Sequence, residues 1–213
     1  EGNLWIGTEN GGLSIFNPDK GIFQTFLHDD IDNTSLSNNS LYSTYRDSKG
    51  NMWMGTFSGG VDIYNRDYNT FVHYRHSTSE NSLSHNSVLC IVEDSKKRMW
   101  IGTDGGGLNL FNQQTKQFTR YQHQPGNTNS ISGNYVLTVC EDSKGNIWSG
   151  TWGDGLNVYN PVTKTWRHFK NDPSDPASLN SNNVWFIYQD HEKTLWIGTH
   201  NGGLEKYNAA TNT

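Results

Sequence analysis

Apolar positions in this chain come as short runs separated by polar, glycine-bearing turns, and the runs themselves recur with a long period. Leu4-Trp5-Ile6-Gly7-Thr8-Glu9-Asn10-Gly11-Gly12-Leu13 returns as Met52-Trp53-Met54-Gly55-Thr56-Phe57-Ser58-Gly59-Gly60-Val61, then around Trp100, Trp148 and Trp196. The tryptophans lie 48, 47, 48 and 48 residues apart, by subtraction of their numbers. Such a period belongs to stacked or radial repeats.

On an extended strand Trp5 and Gly7 share one face, where the indole can lie over the gap the glycine leaves, and Leu4 and Ile6 take the other. Both faces therefore want burial. The Gly11-Gly12 pair supplies positive-φ freedom for a hairpin into Leu13-Ser14-Ile15-Phe16. A more apolar run precedes each tryptophan tract: Leu41 to Tyr45, Val88 to Val92, Val136 to Cys140 and Val184 to Tyr188. Near-continuous hydrophobicity, as in Val184-Trp185-Phe186-Ile187, predicts the innermost and most enclosed strand. These runs end at Asp47, Asp94, Asp142 and Asp190, which begin turns; Lys97 and Lys193 stand where Gly50 and Gly145 stand in sister copies. An aromatic strand such as Phe71-Val72-His73-Tyr74 completes the unit, and a polar connection such as 29–39, with no room for a helix, leads onward.

Four antiparallel strands joined by three short turns form a propeller blade. The expected fold is an all-β propeller of about five four-stranded blades within one array, 1–213: a partial blade 1–28, blades 39–76, 86–123 and 134–170, and a partial blade 182–208. The first lacks its inner strand and the last its outer one, so ring closure stays open; a solenoid ranks second. Lys206, where Ile15, Ile63, Leu110 and Val158 stand in other copies, signals either a less enclosed face or a snorkelling side chain.

Composition sharpens this picture. Hydrophobic content of 32% is low, but 13% aromatics and strict periodicity argue against disorder. The formal charge of −5 carries no basic stripe, which argues against nucleic acid as a partner. Cys90 and Cys140 occupy non-equivalent places and read as buried small side chains rather than a bridge. No apolar run is long enough for a membrane span, and the chain opens in mid-repeat without an initiator methionine, as an excised or processed piece would.

Catalytic patterns are weak: no nucleophile elbow, phosphate loop or metal-spaced histidine pair occurs, and neither metal nor cofactor is expected. His28, His76 and His123, the four turn aspartates and the five tryptophans recur in register, so they read as blade structure. Function is sought where the copies disagree. The residue after Trp-x-Gly-Thr is Glu9, Phe57, Asp104, Trp152 and His200 in turn, and the residues leading into the inner strand are Ser40, Ser87, Tyr135 and Asn183. Strand alternation puts both sets on one face, around the axial mouth. The candidate ligand site is therefore Glu9, Phe57, Asp104, Trp152, His200, Tyr135 and Asn183, with aromatics stacking and carboxylates accepting hydroxyl protons of an oligosaccharide.

Leu83-Ser84-His85-Asn86-Ser87-Val88, Asp94, Met99-Trp100-Ile101-Gly102-Thr103 and Gly106-Gly107-Leu108 together resemble the two-component regulator propeller repeat, and the pattern covers essentially the whole chain. Asn39, Asn86, Asn134 and Asn182 match its pre-strand asparagine. The resemblance implies the periplasmic, carbohydrate-sensing region of an inner-membrane hybrid two-component regulator in glycan-degrading gut bacteria, with the kinase outside this chain. In that family two seven-bladed propellers accompany an immunoglobulin-like domain; this chain is too short for one such ring. A non-catalytic sensor is the leading expectation. The alternatives are a propeller lyase using His200 with Glu9, and a scaffold that pairs its incomplete blades with another copy or with the rest of a parent propeller.

Overall fold

In a computed structural model, residues 2–211 are described; Glu1, Asn212 and Thr213, which the expected array includes, lie outside them. Eighteen strands form five antiparallel sheets, and there is no helix among the described residues. The first sheet is β1 (Leu4–Gly7), β2 (Leu13–Asn17) and β3 (Ile22–Phe26). Three four-stranded sheets follow: β4 (Leu41–Arg46) to β7 (Thr70–Tyr74), with β5 (Met52–Thr56) and β6 (Val61–Asn65); β8 (Val88–Glu93) to β11 (Gln117–Tyr121), with β9 (Met99–Thr103) and β10 (Gly107–Asn112); and β12 (Val136–Glu141) to β15 (Thr165–Phe169), with β13 (Ile147–Thr151) and β14 (Leu156–Asn160). The last sheet is β16 (Val184–Gln189), β17 (Leu195–Thr199) and β18 (Gly203–Lys206). Inner strands β4, β8, β12 and β16 lie side by side in that order, so the sheets fan as propeller blades.

Blade joins blade through the tryptophan tract. The first four indoles pack against an aromatic in, or just past, the next blade's third strand: Trp5 on Tyr64, Trp53 on Phe111, Trp100 on Tyr159 and Trp148 on Tyr207, with centroids 5.1, 5.5, 6.0 and 4.8 Å apart. Such pairs contribute about 0.5–1.5 kcal/mol each beyond their buried area. The space before the tract glycine is filled by the inner strand of its own blade, through Ser43, Cys90 and Thr138, and by the inner strand of the next blade, rather than by the indole. A Cβ on Gly55 would meet Val88 Cγ1 at 2.7 Å, on Gly102 Val136 Cγ1 at 2.8 Å, and on Gly150 Val184 Cγ1 at 2.6 Å. Glycine is thus needed where the next inner strand comes closest.

Polar repeats serve the same architecture. Asp47, Asp94, Asp142 and Asp190 each accept turn amides, as expected, and also the indole N–H of Trp53, Trp100, Trp148 and Trp196 at 3.0, 2.9, 2.8 and 2.8 Å. Burial pushes the Asp47, Asp94 and Asp142 carboxyls up, but these donors, with the Arg98 guanidinium first among them at Asp94, together outweigh it and hold them below the ordinary aspartate value. Lys97 and Lys193 adopt φ of 64° and 66° in their turns, so those two copies accept a strained lysine where others use glycine. Asn39, Asn86, Asn134 and Asn182 offer their backbone carbonyls to the second glycine of the preceding blade's pair and their side-chain oxygens to residues 28, 76, 123 and 171. His28, His76 and His123 complete that clasp through Nδ1 to the carbonyls of Leu36, Leu83 and Ile131.

Contrary to expectation, the inner strands are not the most enclosed: in the second, third and fourth blades the tryptophan strands β5, β9 and β13 are more buried than β4, β8 and β12, and in the last blade's inner strand Trp185 and Phe186 are 54% and 57% exposed. Phe186 and Tyr188 face the side where no further blade stands, and Trp185 is thrown out by a bulge described below. Lys206 is exposed on that same side, its ammonium 5.9 Å from the Trp196 ring, so both readings of it hold. Cys90 and Cys140 are free; burial pushes the Cys90 thiol up to about 12 and the Cys140 thiol up as well, leaving both unreactive.

Candidate functional site

The loop after the second strand and the segment leading into the inner strand meet at one end of every blade. The N–H groups of Phe57, Asp104, Trp152 and His200 donate to the carbonyls of Ser40, Ser87, Tyr135 and Asn183 at 2.9, 3.0, 2.9 and 2.8 Å. One residue further on, each inner strand slips register, between Leu41 and Ser43, Val88 and Cys90, Val136 and Thr138, and Val184 and Phe186. A bulge re-aims the extra side chain. The extra residues are Tyr42, Leu89, Leu137 and Trp185.

Two of these bulges build aromatic clusters on the variable rim. Tyr42 meets Phe57 edge-on, with centroids 5.7 Å apart. Trp185 lies nearly parallel to His200 at 5.9 Å, and Trp152 of the preceding blade contacts both, at 6.0 and 5.7 Å. Trp152, Trp185 and His200 are all exposed, so the trio offers open aromatic faces across a blade boundary. Burial cannot explain two tryptophans held about half in water.

The remaining candidates are dispersed. Asp104 and Tyr135 pair by an isolated antiparallel bridge between the third and fourth blades, both exposed. Asn183 is half-buried and donates its N–H to Ser181 Oγ at 3.2 Å. Glu9 is exposed on the first blade beside Asn10, which Ser40 Oγ holds at 3.0 Å. Glu9 and His200 sit on the two end blades with three blades between them, so they do not form an acid–base pair. None of the principal cavities is lined by these seven residues.

Trp185 is the residue that sequence reasoning missed, because it was assigned to the enclosed strand. Its signal was available: the bulge position reads Tyr, Leu, Leu, Trp in successive copies, and so varies as the loop position it faces does, though less.

Residues 35–58, 82–105, 130–153 and 178–201 match the two component regulator propeller family. No curated protein matches the chain. Among solved structures, the extracellular domain of BT4673 from B. thetaiotaomicron, assigned to a hybrid two component system, is 27% identical, with a TM-score of 0.77 over 96% of this chain and 25% of that one. The extracellular domain of BT3049 from the same organism, assigned likewise, is 22% identical, with a TM-score of 0.68 over 95% and 31%. The WD40 β propeller domain of Doa1 shares the fold at 11% identity, with a TM-score of 0.67 over 98% and 61%. This chain thus spans about a quarter of the length of the BT4673 domain. Four segments of this chain, one at each junction from an inner strand to its tryptophan strand, thus match two-component regulator propeller repeats.

Proposed function

We propose that this chain is a non-catalytic, ligand-sensing part of the extracytoplasmic region of a two-component regulator, placed in the periplasm, and that its ligand is an oligosaccharide. The extracellular placement of the similar BT4673 and BT3049 domains supports the location. One observation carries the ligand reading: the exposed Trp152–Trp185–His200 trio on the diversified rim. Sugar rings present C–H faces that stack on aromatic rings and hydroxyls that reach nearby acceptors, which matches flat, half-exposed indoles on an open surface. Asp104 and Asn183 supply polar partners on the same rim.

Calorimetric titration of the chain with a panel of plant and host oligosaccharides tests this. A binding sugar should lose about tenfold or more in affinity on Trp152→Ala or Trp185→Ala, with unfolding midpoints unchanged. Binding that survives both substitutions would sink the assignment of the rim.

A further inference from the structure

The connections that lead into the second and third blades are built alike, and one side chain separates them. In the third blade Arg120 of β11 reaches back from the outer strand to its connection. Its Nε donates to the Ser82 carbonyl at 2.8 Å, and its Nη2 lies 2.7, 3.1 and 3.4 Å from the carbonyls of Ser79, Leu83 and Ser77 and 2.6 Å from Ser82 Oγ. The connection thus closes on the guanidinium as a ring of oxygen acceptors, which suits a planar group that only donates.

The second blade repeats this ring without the arginine. Ser35 makes the bonds of Ser82: its Oγ accepts the N–H of Asp29 as Ser82 Oγ accepts that of Ser77, and its own N–H donates to the Asp32 carbonyl as that of Ser82 donates to Ser79. The Leu36 carbonyl meets His28 Nδ1 as the Leu83 carbonyl meets that of His76. Asp29, Asp32, Ser35 and Leu36 are therefore the counterparts of the four residues around Arg120, and all four line one cavity of about 580 Å³. His73 stands in the place of Arg120, opposite Asp62 as Arg120 is opposite Asn109. Its shorter side chain stops at the Asn33 carbonyl, 3.0 Å from Nε2.

Charge changes in the same sense. Asp29 and Asp32 replace Ser77 and Ser79, and Asp62 replaces Asn109. Asp29 and Asp32 each spend one oxygen on a turn bond and keep the other without a partner among the described residues. The basic side chains that line the cavity are already engaged: His28 between the Leu36 carbonyl and Asp30, His73 between Asp62 and Asn33, and Arg75 through Nε on the Gly59 carbonyl. A buried group is left wanting as well. Ser84 Oγ receives Asn109 Nδ2 at 2.7 Å, but the Asp62 carboxylate has no such proton to give, and Ser37, which lines the cavity, has a buried Oγ without a partner.

We propose that this cavity binds the guanidinium group of a small cationic ligand, of the size of agmatine or arginine, in the position that Arg120 fills one blade further on. The carbonyls of the connection receive its N–H groups, and Asp29 and Asp32 supply the countercharge. Every lining residue lies between 28 and 86, away from both ends of the chain, and the site is separate from the aromatic trio on the fourth and fifth blades.

Calorimetric titration of the 213-residue chain with agmatine, arginine and citrulline tests this, citrulline being the neutral isostere of arginine. Saturable binding of agmatine and arginine to one site is expected, with citrulline about tenfold or more weaker. His73→Arg supplies the group from the chain itself and should abolish binding without lowering the unfolding midpoint. Asp29→Asn combined with Asp32→Asn keeps the turn bonds at two exposed positions, and should weaken agmatine by about two- to fivefold. No binding of agmatine or arginine, equal binding of citrulline, binding retained by His73→Arg, or agmatine affinity unchanged in the double asparagine variant would each overturn the proposal.

Discussion

The third blade and the fifth contain the same tryptophan tract in different settings. Trp100 is fully buried, bonds Asp94 through its indole N–H and packs on Tyr159 of the next blade. Trp196 keeps the equivalent bond to Asp190 but is only half-buried, because no further blade covers it. The same holds for the glycine of the tract, which is crowded in Gly150 and open in Gly198. The aspartate–indole bond is therefore a property of one blade alone and the burial a property of two, as are the bonds from the turn serines Ser48 and Ser95 to Glu93 and Glu141 of the following blades. The bare side of the last blade, with Phe186, Tyr188 and Leu204 exposed, is what an interior blade would look like if its neighbour were lifted away.

The largest effect that sharpens this contrast is truncation of the indole. Trp100→Ala should cost about 3–5 kcal/mol, since it empties a core position. Trp196→Ala should cost less than half as much, as its ring already meets water. Denaturant midpoints of the two variants check this, and equal losses would break the comparison.

Next comes the glycine pair. A Cβ at Gly150 would lie 2.6 Å from Val184 Cγ1 and 2.7 Å from its carbonyl oxygen, so Gly150→Ala should cost about 1–3 kcal/mol or more through overpacking. At Gly198 the nearest atom is Phe186 Cβ at 3.3 Å, and Gly198→Ala should change stability by about 0.5 kcal/mol or less. Thermal unfolding of both variants, compared with the parent, reads the difference.

The turn aspartates should differ less, because their bonds lie within single blades. The Arg98 guanidinium, then the Trp100 indole and a turn amide, hold the Asp94 carboxyl below its ordinary value despite its burial, and the Trp196 indole leads in doing so for Asp190. A depressed carboxyl stabilises the fold above its unfolded value, and that contribution fades as pH falls through the folded one. Asp94→Asn should destabilise by about 1–3 kcal/mol at neutral pH, with the gap to the parent closing in acid. Asp190→Asn should show the same pH direction with a smaller amplitude.

The period and the Trp-x-Gly-Thr spacing made the blades legible, because both depend on side-chain parity along single strands. What stayed hidden depends on register between strands. The bulge that ejects Trp185 does not change the hydrophobic pattern, so Val184-Trp185-Phe186-Ile187 looked uniformly enclosed. The gap at Gly55 is filled by Ser43 of the same blade and by Val88, some thirty residues on, and no local pattern marks the second. One such pairing was written in sequence but easily passed over. Asp154 stands where other copies have the first glycine of the pair, and Gly133 opposite makes room, with a Cβ there falling 2.6 Å from Asp154 Cγ.

The smallest effect separates two outer strands that look alike. His73 in β7 faces the fully buried Asp62, whereas His168 in β15 faces Asn157. The hydrogen bond it donates to Asp62 raises the His73 imidazole above its ordinary 6.5, against burial and the nearby Arg75, which lower it. A raised imidazole gives its full stabilisation below the unfolded value and loses it as pH climbs through the folded one. Amides of β7, corrected for intrinsic exchange, should therefore lose protection as pH rises above the ordinary imidazole value and through the raised one, while β15 keeps its own. His73→Gln should flatten the β7 profile. If β15 loosened in parallel, the cause would lie in a property common to all blades, and the Asp62 carboxylate would not be what distinguishes the second.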